Sequence, residues 1–293
     1  MASIEVISNF VLYIFIITTM VSIGLGLNIK KIKSILSNYS FMARGLLVNF
    51  LLIPIIAWVM TKVIPMEESV AIGFLLASIS AGAPFSSKLA QVAKSDVPFA
   101  VTMMFVLLVL AVVVTPGWLS VFLNSSASGG VSINTLAILS QIIIVYLLPL
   151  LIAILAGSKY SNKVEKCRRL LLKISNVAFI IVIVLTLATS MSGLESLVGS
   201  FGIIAGIISV PIYAVLGYLL GGPRITTKRS LSFNSAVRNT GLGLLIASHS
   251  FSNTATVGVM VITFGIIQTV IMTSVAALWS KRGGDADEIT INE

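Results

Sequence analysis

The chain has 293 residues, 57% of them hydrophobic and only 10% charged, and its mean hydropathy is +1.08. A water-soluble domain needs far more polar surface, so these values exclude a soluble enzyme or binding module and indicate a polytopic membrane protein. The net charge of +9 does not argue for a nucleic-acid partner, because most basic residues fall in short connections between apolar runs, where they orient helices in the bilayer. One cysteine, Cys167, and one histidine, His249, exclude an internal disulfide and a Cys/His metal cluster.

Nine candidate spans follow in chain order: about 5–28, 40–63, 68–94, 97–124, 132–157, 170–191, 196–221, 228–250 and 255–280. Most are long enough to cross a hydrocarbon core of roughly 30 Å at about 1.5 Å per residue. The opening stretch "MASIEVISNFVLYIF" lacks a basic n-region and a small-residue cleavage site, so it is read as the first span and not as a signal peptide. Gly24 and Gly26 in "SIGLGL" mimic part of a nucleotide fingerprint, but on a span they indicate close helix packing. The third span runs "AIGFLLASIS", breaks at "AGAPFSSK" with Pro84 two residues after Gly82, and resumes as "LAQVAKSD". The fifth span carries Gln141 and Tyr146, and the ninth Gln268; such single polar residues are expected to bond neighbouring helices. The eighth span, "SLSFNSAVRNTGLGLLIAS", is polar in its middle, with Gly241 and Gly243 following. His249 near its outer end is expected to be structural, and the acidic tail "DADEITINE" to be solvated and disordered.

The basic residues orient these spans. Lys30, Lys31, Lys33, Arg44, Lys94, Lys159, Lys163, Lys166, Arg168, Arg169, Lys173, Arg224, Lys228, Arg229, Lys281 and Arg282 all fall on one side if there are nine spans. The other side has only Lys62, with Glu5, Glu67, Glu68 and Glu195. This asymmetry places the N-terminus outside and the C-terminus in the cytoplasm. The short chain reads as bacterial, which puts it in the inner (cell) membrane. Two basic residues, Lys88 and Arg238, are left inside spans, one in each interrupted span. Interrupted spans at corresponding places of two halves, each followed by a small polar loop and a smooth apolar span, point to a transporter with inverted repeats.

The stretches "GLLVNFLLIPIIAW", "LAQVAKSD", "VRNTGLGLLIAS" and "LGLNIKKIKSIL" resemble the bile acid:sodium symporter superfamily, over residues 10 to 280 or so. The resemblance implies an all-α fold of nine transmembrane helices in two inverted repeats, the first helix of repeat one absent, with two broken helices that cross. It implies a panel helix over 1–39, a first core part over 40–130 with the broken third span, panel helices over 131–194, a second core part over 195–282 with the broken eighth span, and a cytoplasmic tail over 283–293. Substrate and, in sodium-coupled members, two sodium ions bind near the crossing. By the same resemblance the family's ligand positions fall on Asn49, Ser86, Ser87, Ala100, Met104, Asn234, Arg238 and Asn239. Here a glutamate is replaced by Asn234, a glutamine by Arg238, and two hydroxyl ligands by Ala100 and Met104.

No Asp or Glu lies within a span away from its ends. A sodium ion beside two cations and no carboxylate is disfavoured by Coulomb repulsion. Lys88 and Arg238 are therefore expected either to replace the ion as tethered cations or to bind an anionic substrate, Arg238 gripping it bidentately. The less favoured alternatives are that Arg238 satisfies carbonyls freed at the break and that Lys88 snorkels toward water. Ser86, Ser87, Asn234 and Asn239 are candidate ligands or helix-break caps, and Asn49 a candidate ligand or interhelical bond. Lys88, the more titratable cation, also permits proton coupling. The expectation is a secondary transporter of a small organic anion, embedded in a lipid bilayer, with no cofactor and with Na+ or H+ as candidate coupling ion. Alternatives are a sodium symporter with a rearranged ion site, an uncoupled uniporter or channel, and a membrane scaffold. No nucleophile–base pair or nucleotide motif suggests an enzyme.

Overall fold

The computed structural model describes residues 2–27, 39–125, 135–159, 161–189, 197, 200–251 and 254–289, and the described residues are helical throughout apart from short connections. The helices are α1 (Ala2–Gly26), α2 (Tyr39–Val63), α3 (Glu68–Ile79), α4 (Pro84–Val92), α5 (Val97–Ser125), α6 (135–159), α7 (Ser161–Thr189), α8 (Gly202–Leu220), α9 (Ile225–Ala236), α10 (Thr240–Ser250) and α11 (Ala255–Ile289). Lys30, Lys31, Lys33 and Glu195, the domain boundary at 130/131 and the last four tail residues lie outside the described residues.

Among the described residues, six helices hold a stretch long and apolar enough to cross a membrane: α1, α2, α5, α6, α8 and α11. The pair α3 and α4, bent by 62°, makes a seventh if it is one span. Length and composition thus do not recover the nine expected spans. α7 spends its first turns on Lys163, Lys166, Arg168 and Arg169, and α9 reads "ITTKRSLSFNSA", whose cations and hydroxyls offset the apolar α10. Exposed apolar side chains, such as Phe10 on α1, Val59 on α2, Ile152 and Leu155 on α6, and Ile207 and Leu219 on α8, give the molecule the apolar exterior of a bilayer protein.

Two boundaries differ from the sequence expectation. The basic segment expected as a connection before residue 170 is helical from Ser161, because Glu165 accepts from Arg168 (2.8 Å) and Arg169 (3.1 Å) one turn on. Cys167 is exposed on this segment. α11 continues to Ile289 where a disordered tail was expected; extending a formed helix fixes one residue per new hydrogen bond, without the cost of nucleation.

The breaks position the site. α3 ends at Ile79 with Ser80 as its C-cap, Gly82 takes φ +80, and Pro84 starts α4 in its first turn, where a missing N–H costs nothing. A Cβ on Gly82 would also collide with the backbone of Leu108 on α5. α9 ends at Ala236, Val237 is extended, and Asn239 caps α10 by accepting from Leu242 N at 3.1 Å. The two breaks bond to each other: Asn239 donates from its backbone N to Ser80 O (2.7 Å) and from Nδ2 to Gly82 O (3.2 Å). α2 and α6 each contain a π-helical turn, Val48–Leu52 and Ile143–Leu147, which the sequence did not suggest.

Around the breaks, α1 packs on α6 and α7, where Gly24 lies against Leu150 O and Ala153, and Phe15 stacks on Phe179 at 4.8 Å. α3 packs on α11, α8 on α9 and α11, and α4 on α5 and α9. Basic residues gather at one end of the bundle. There Ser230 Oγ and Thr226 O bond the backbone of Asp96, Arg229 lies over Trp279 (5.6 Å), Lys228 over Tyr218 (5.6 Å) and Arg44 over Phe41 (6.0 Å).

Candidate functional site

Asn49, Ser86, Asn234, Arg238 and Asn239 converge where the two breaks meet, and each is at most 5% exposed. Asn49 lies in the π turn of α2, Ser86 in the first turn of α4, Asn234 and Ser235 in the last turn of α9, and Arg238 and Asn239 in the α9–α10 break. Arg238, 2% exposed, is the bulkiest fully buried side chain among the described residues.

The backbone of Arg238 is clamped by one side chain of α11. Gln268 accepts from Arg238 N at 2.7 Å and donates to Arg238 O at 2.8 Å, satisfying both groups that the break removes from helical pairing. The guanidinium divides into two edges. Nη1 donates to Asn49 Oδ1 (2.6 Å) and to Ser235 O (3.2 Å), a carbonyl in the last turn of α9, the electronegative end of that half-helix. Nε and Nη2 are buried with no hydrogen-bond partner among the described residues. Asn49 is held so that its oxygen faces Arg238, because its Nδ2 donates to Gly45 O (2.9 Å) and Ser235 Oγ (3.3 Å).

A neutral network surrounds this cation. Asn234 Oδ1 accepts from Ser86 Oγ at 2.7 Å, and its Nδ2 donates to Ala100 O at 3.1 Å, joining α9 to α4 and α5. Asn239 Oδ1 also accepts from Tyr146 of α6 at 3.3 Å. Of the acidic residues, Glu67, Glu68, Asp96 and Glu165 stand at or near helix ends, and no group of three His, Cys, Asp or Glu side chains clusters among the described residues. Among the described residues, therefore, no carboxylate compensates the positive charge of Arg238. Burying an unpaired charge costs several kcal/mol, about as much as the loss of a whole buried network.

Two sequence candidates stand apart. Ser87 bonds Pro84 O within α4 at 2.8 Å. Lys88 is exposed, which corrects the expectation of two buried cations: two positions along a helix is about 200° of rotation, so a turn that points Ser86 inward points Lys88 outward. Ala100 contributes its backbone oxygen and Met104 a buried apolar side chain, so neither supplies a hydroxyl. Gln268 and Tyr146 do bond across helices as expected, but their partners are site residues. Ser235 and the carbonyls of Ser80 and Gly82 were not foreseen; a backbone acceptor leaves no mark in residue type. Farther along α10, His249 meets Tyr13 of α1 (3.2 Å) and Gln141 of α6 (2.8 Å).

Residues 13–200 match the model of the Sodium Bile acid symporter family. The chain is 22% identical over 272 residues to the probable sodium/metabolite cotransporter BASS1, chloroplastic, of Arabidopsis thaliana, covering 90% of this chain and 65% of that protein. It is 22% identical over 283 residues to the probable sodium/metabolite cotransporter BASS2, chloroplastic, of Oryza sativa subsp. japonica, covering 92% and 64%. It thus spans slightly under two thirds of the length of these relatives. The matched segment takes in α2 to α7 and one of the two breaks, with Asn49 and Ser86. This chain belongs to the sodium bile acid symporter family, a family of membrane transporters, and is not an enzyme.

Proposed function

We propose that the protein is a secondary transporter that moves a small organic anion by alternating access, with Arg238 as the residue that holds the anion. One observation carries the reading: a guanidinium sealed in the helix junction with Nε and Nη2 unpartnered. These two N–H groups form one planar edge, the geometry that matches two oxygens of a carboxylate, sulfonate or phosphate. The N-terminal turns of α4 and α10 start at the same junction and add donors for negative charge. The half-helices in the described structure are the arrangement that transporter sites use at the bilayer midplane.

In this reading the chain has nine spans in two inverted repeats, with α3–α4 and α9–α10 as the broken ones. α1, α6 and α7 form a panel, which their mutual packing supports, and the other helices form the core that moves against it. The basic end, where cations lie over aromatic rings, faces the cytoplasm, and the N-terminus lies outside. Lys88, exposed on α4, serves as a secondary attraction for the anion at most. The relatives' names favour a second reading, sodium-coupled metabolite transport through a rearranged ion site.

The test is thermal unfolding of the purified protein against carboxylates, sulfonates and phosphates. An anion that binds the folded state at about 100 times its Kd stabilises by about 2.7 kcal/mol. Wild type is expected to be stabilised by at least one of these anions, and Arg238→Gln to lose that response. Equal responses of the two proteins would sink the assignment of Arg238.

A further inference from the structure

Resting on the transport reading above, we infer that Arg238 is the transporter's resident cation, so that the anion moves without sodium. The names of the family and of the relatives invoke sodium, and the residues of this junction do not fit one. A hard cation needs several free oxygens, preferably including a carboxylate, and in transporters it is taken by unwound carbonyls and half-helix C-terminal ends. Here the side-chain amide oxygens of the junction and the break carbonyls of Ser80, Gly82 and Ser235 are already engaged. Asn49 Oδ1 and Ser235 O, the latter at the end of α9, both accept from Arg238 Nη1. Asn234 Oδ1 accepts from Ser86, Asn239 Oδ1 from Leu242 N and Tyr146, and Ser80 O and Gly82 O from Asn239.

The positive charge at the end of α9 is thus part of the chain. A second cation placed among the same buried oxygens faces Arg238 at close range, with no carboxylate among the described residues to offset the repulsion. The same guanidinium leaves its Nε–Nη2 edge for the anion. One side chain performs both tasks: the Nη1 edge ties α2 to the α9–α10 break, as a bound ion would, and the other edge supplies the counter-charge for the substrate. Lys88 has no part in this, because it is exposed.

The experiment is a sodium titration of the full-length protein, read by thermal unfolding and by radioactive sodium binding, with choline chloride holding ionic strength constant. Wild type is expected to show no saturable sodium response. Arg238→Gln removes the charge and frees Asn49 Oδ1 and Ser235 O, so it is expected to gain one, whereas Arg238→Lys keeps a cation and stays insensitive. A merely structural arginine gives no gain of sodium binding on removal. A saturable sodium response in wild type overturns the inference, as does a folded Arg238→Gln protein that binds no sodium. If Arg238→Gln does not fold, the wild-type titration still decides. The anion screen separates the two levels: anions that stabilise wild type in NaCl but not in choline chloride sink this inference alone, whereas no stabilisation in either salt sinks the transport reading and leaves the sodium titration standing.

Discussion

Replacing Gln268 with leucine keeps the volume near that of the amide and removes both bonds to the backbone of Arg238. Arg238 O keeps a bond from Thr240 N at 3.1 Å, so only Arg238 N is left unpaired, and Gln268→Leu is expected to lose about 1–3 kcal/mol of stability. Asn49→Leu leaves Arg238 Nη1 with only its bond to Ser235 O and is expected to cost about 1.5–3 kcal/mol, the range for hydrogen bonds to charged groups. Unfolding in detergent measures both; a Gln268→Leu melt matching wild type would show that the break does not depend on the clamp. At this scale the sequence exposes charge and hides backbone. Arg238 is conspicuous in an apolar run, Ser86, Asn234 and Asn239 follow from polar residues near breaks, and Asn49 from the family resemblance. The accepting carbonyls of Ser235, Ser80 and Gly82 carry no side-chain signature. Lys88 misleads for a related reason: the run that contains it shows depth in the membrane, but not which face of α4 it occupies.

The two breaks differ in how they are written. The first is spelled out by Gly82 and Pro84, with a positive φ at the glycine and the backbone of Leu108 where a Cβ would stand. Gly82→Ala forces a side chain into a left-handed conformation, at about 1–3 kcal/mol, and in addition pushes α5 away. Gly117 in α5 has nothing within 4 Å of its Cβ position, so Gly117→Ala is expected to stabilise by about 0.5–1 kcal/mol through helix propensity. Folded yield and unfolding temperature should move in opposite directions for the two variants; a Gly82→Ala protein as stable as wild type would contradict the packing of α5 against the first break. The second break has no proline, and only the density of polar residues between Ser230 and Thr240 betrays it. The π turns of α2 and α6 do have a residue marker, a proline two residues past each of them, Pro54 and Pro149, whose missing N–H removes a helical bond.

For the whole molecule, the apolar runs predict helices well, and the basic residues predict which helix ends belong together. The number of spans is less legible, because α7 begins with an exposed basic segment and the α9–α10 pair carries buried polar residues, and hydropathy alone passes over both. Orientation has a direct test. Cys167 is the only cysteine in the chain, is exposed, and belongs to the basic end that the proposal places in the cytoplasm. A membrane-impermeant thiol reagent is expected to label it in inside-out vesicles and to spare it in intact cells; labelling of intact cells would invert the topology. If Arg238 holds the anion in a moving core, as proposed, its buried charge also makes transport sensitive to voltage. With an anion bound, the junction is neutral; empty, it carries the full charge of Arg238 each time the core reorients. Moving one charge through the whole field is worth about 2.3 kcal/mol per 100 mV. In that reading a membrane negative inside favours the empty site facing the cytoplasm, so the orientation of the unloaded carrier shifts with membrane potential.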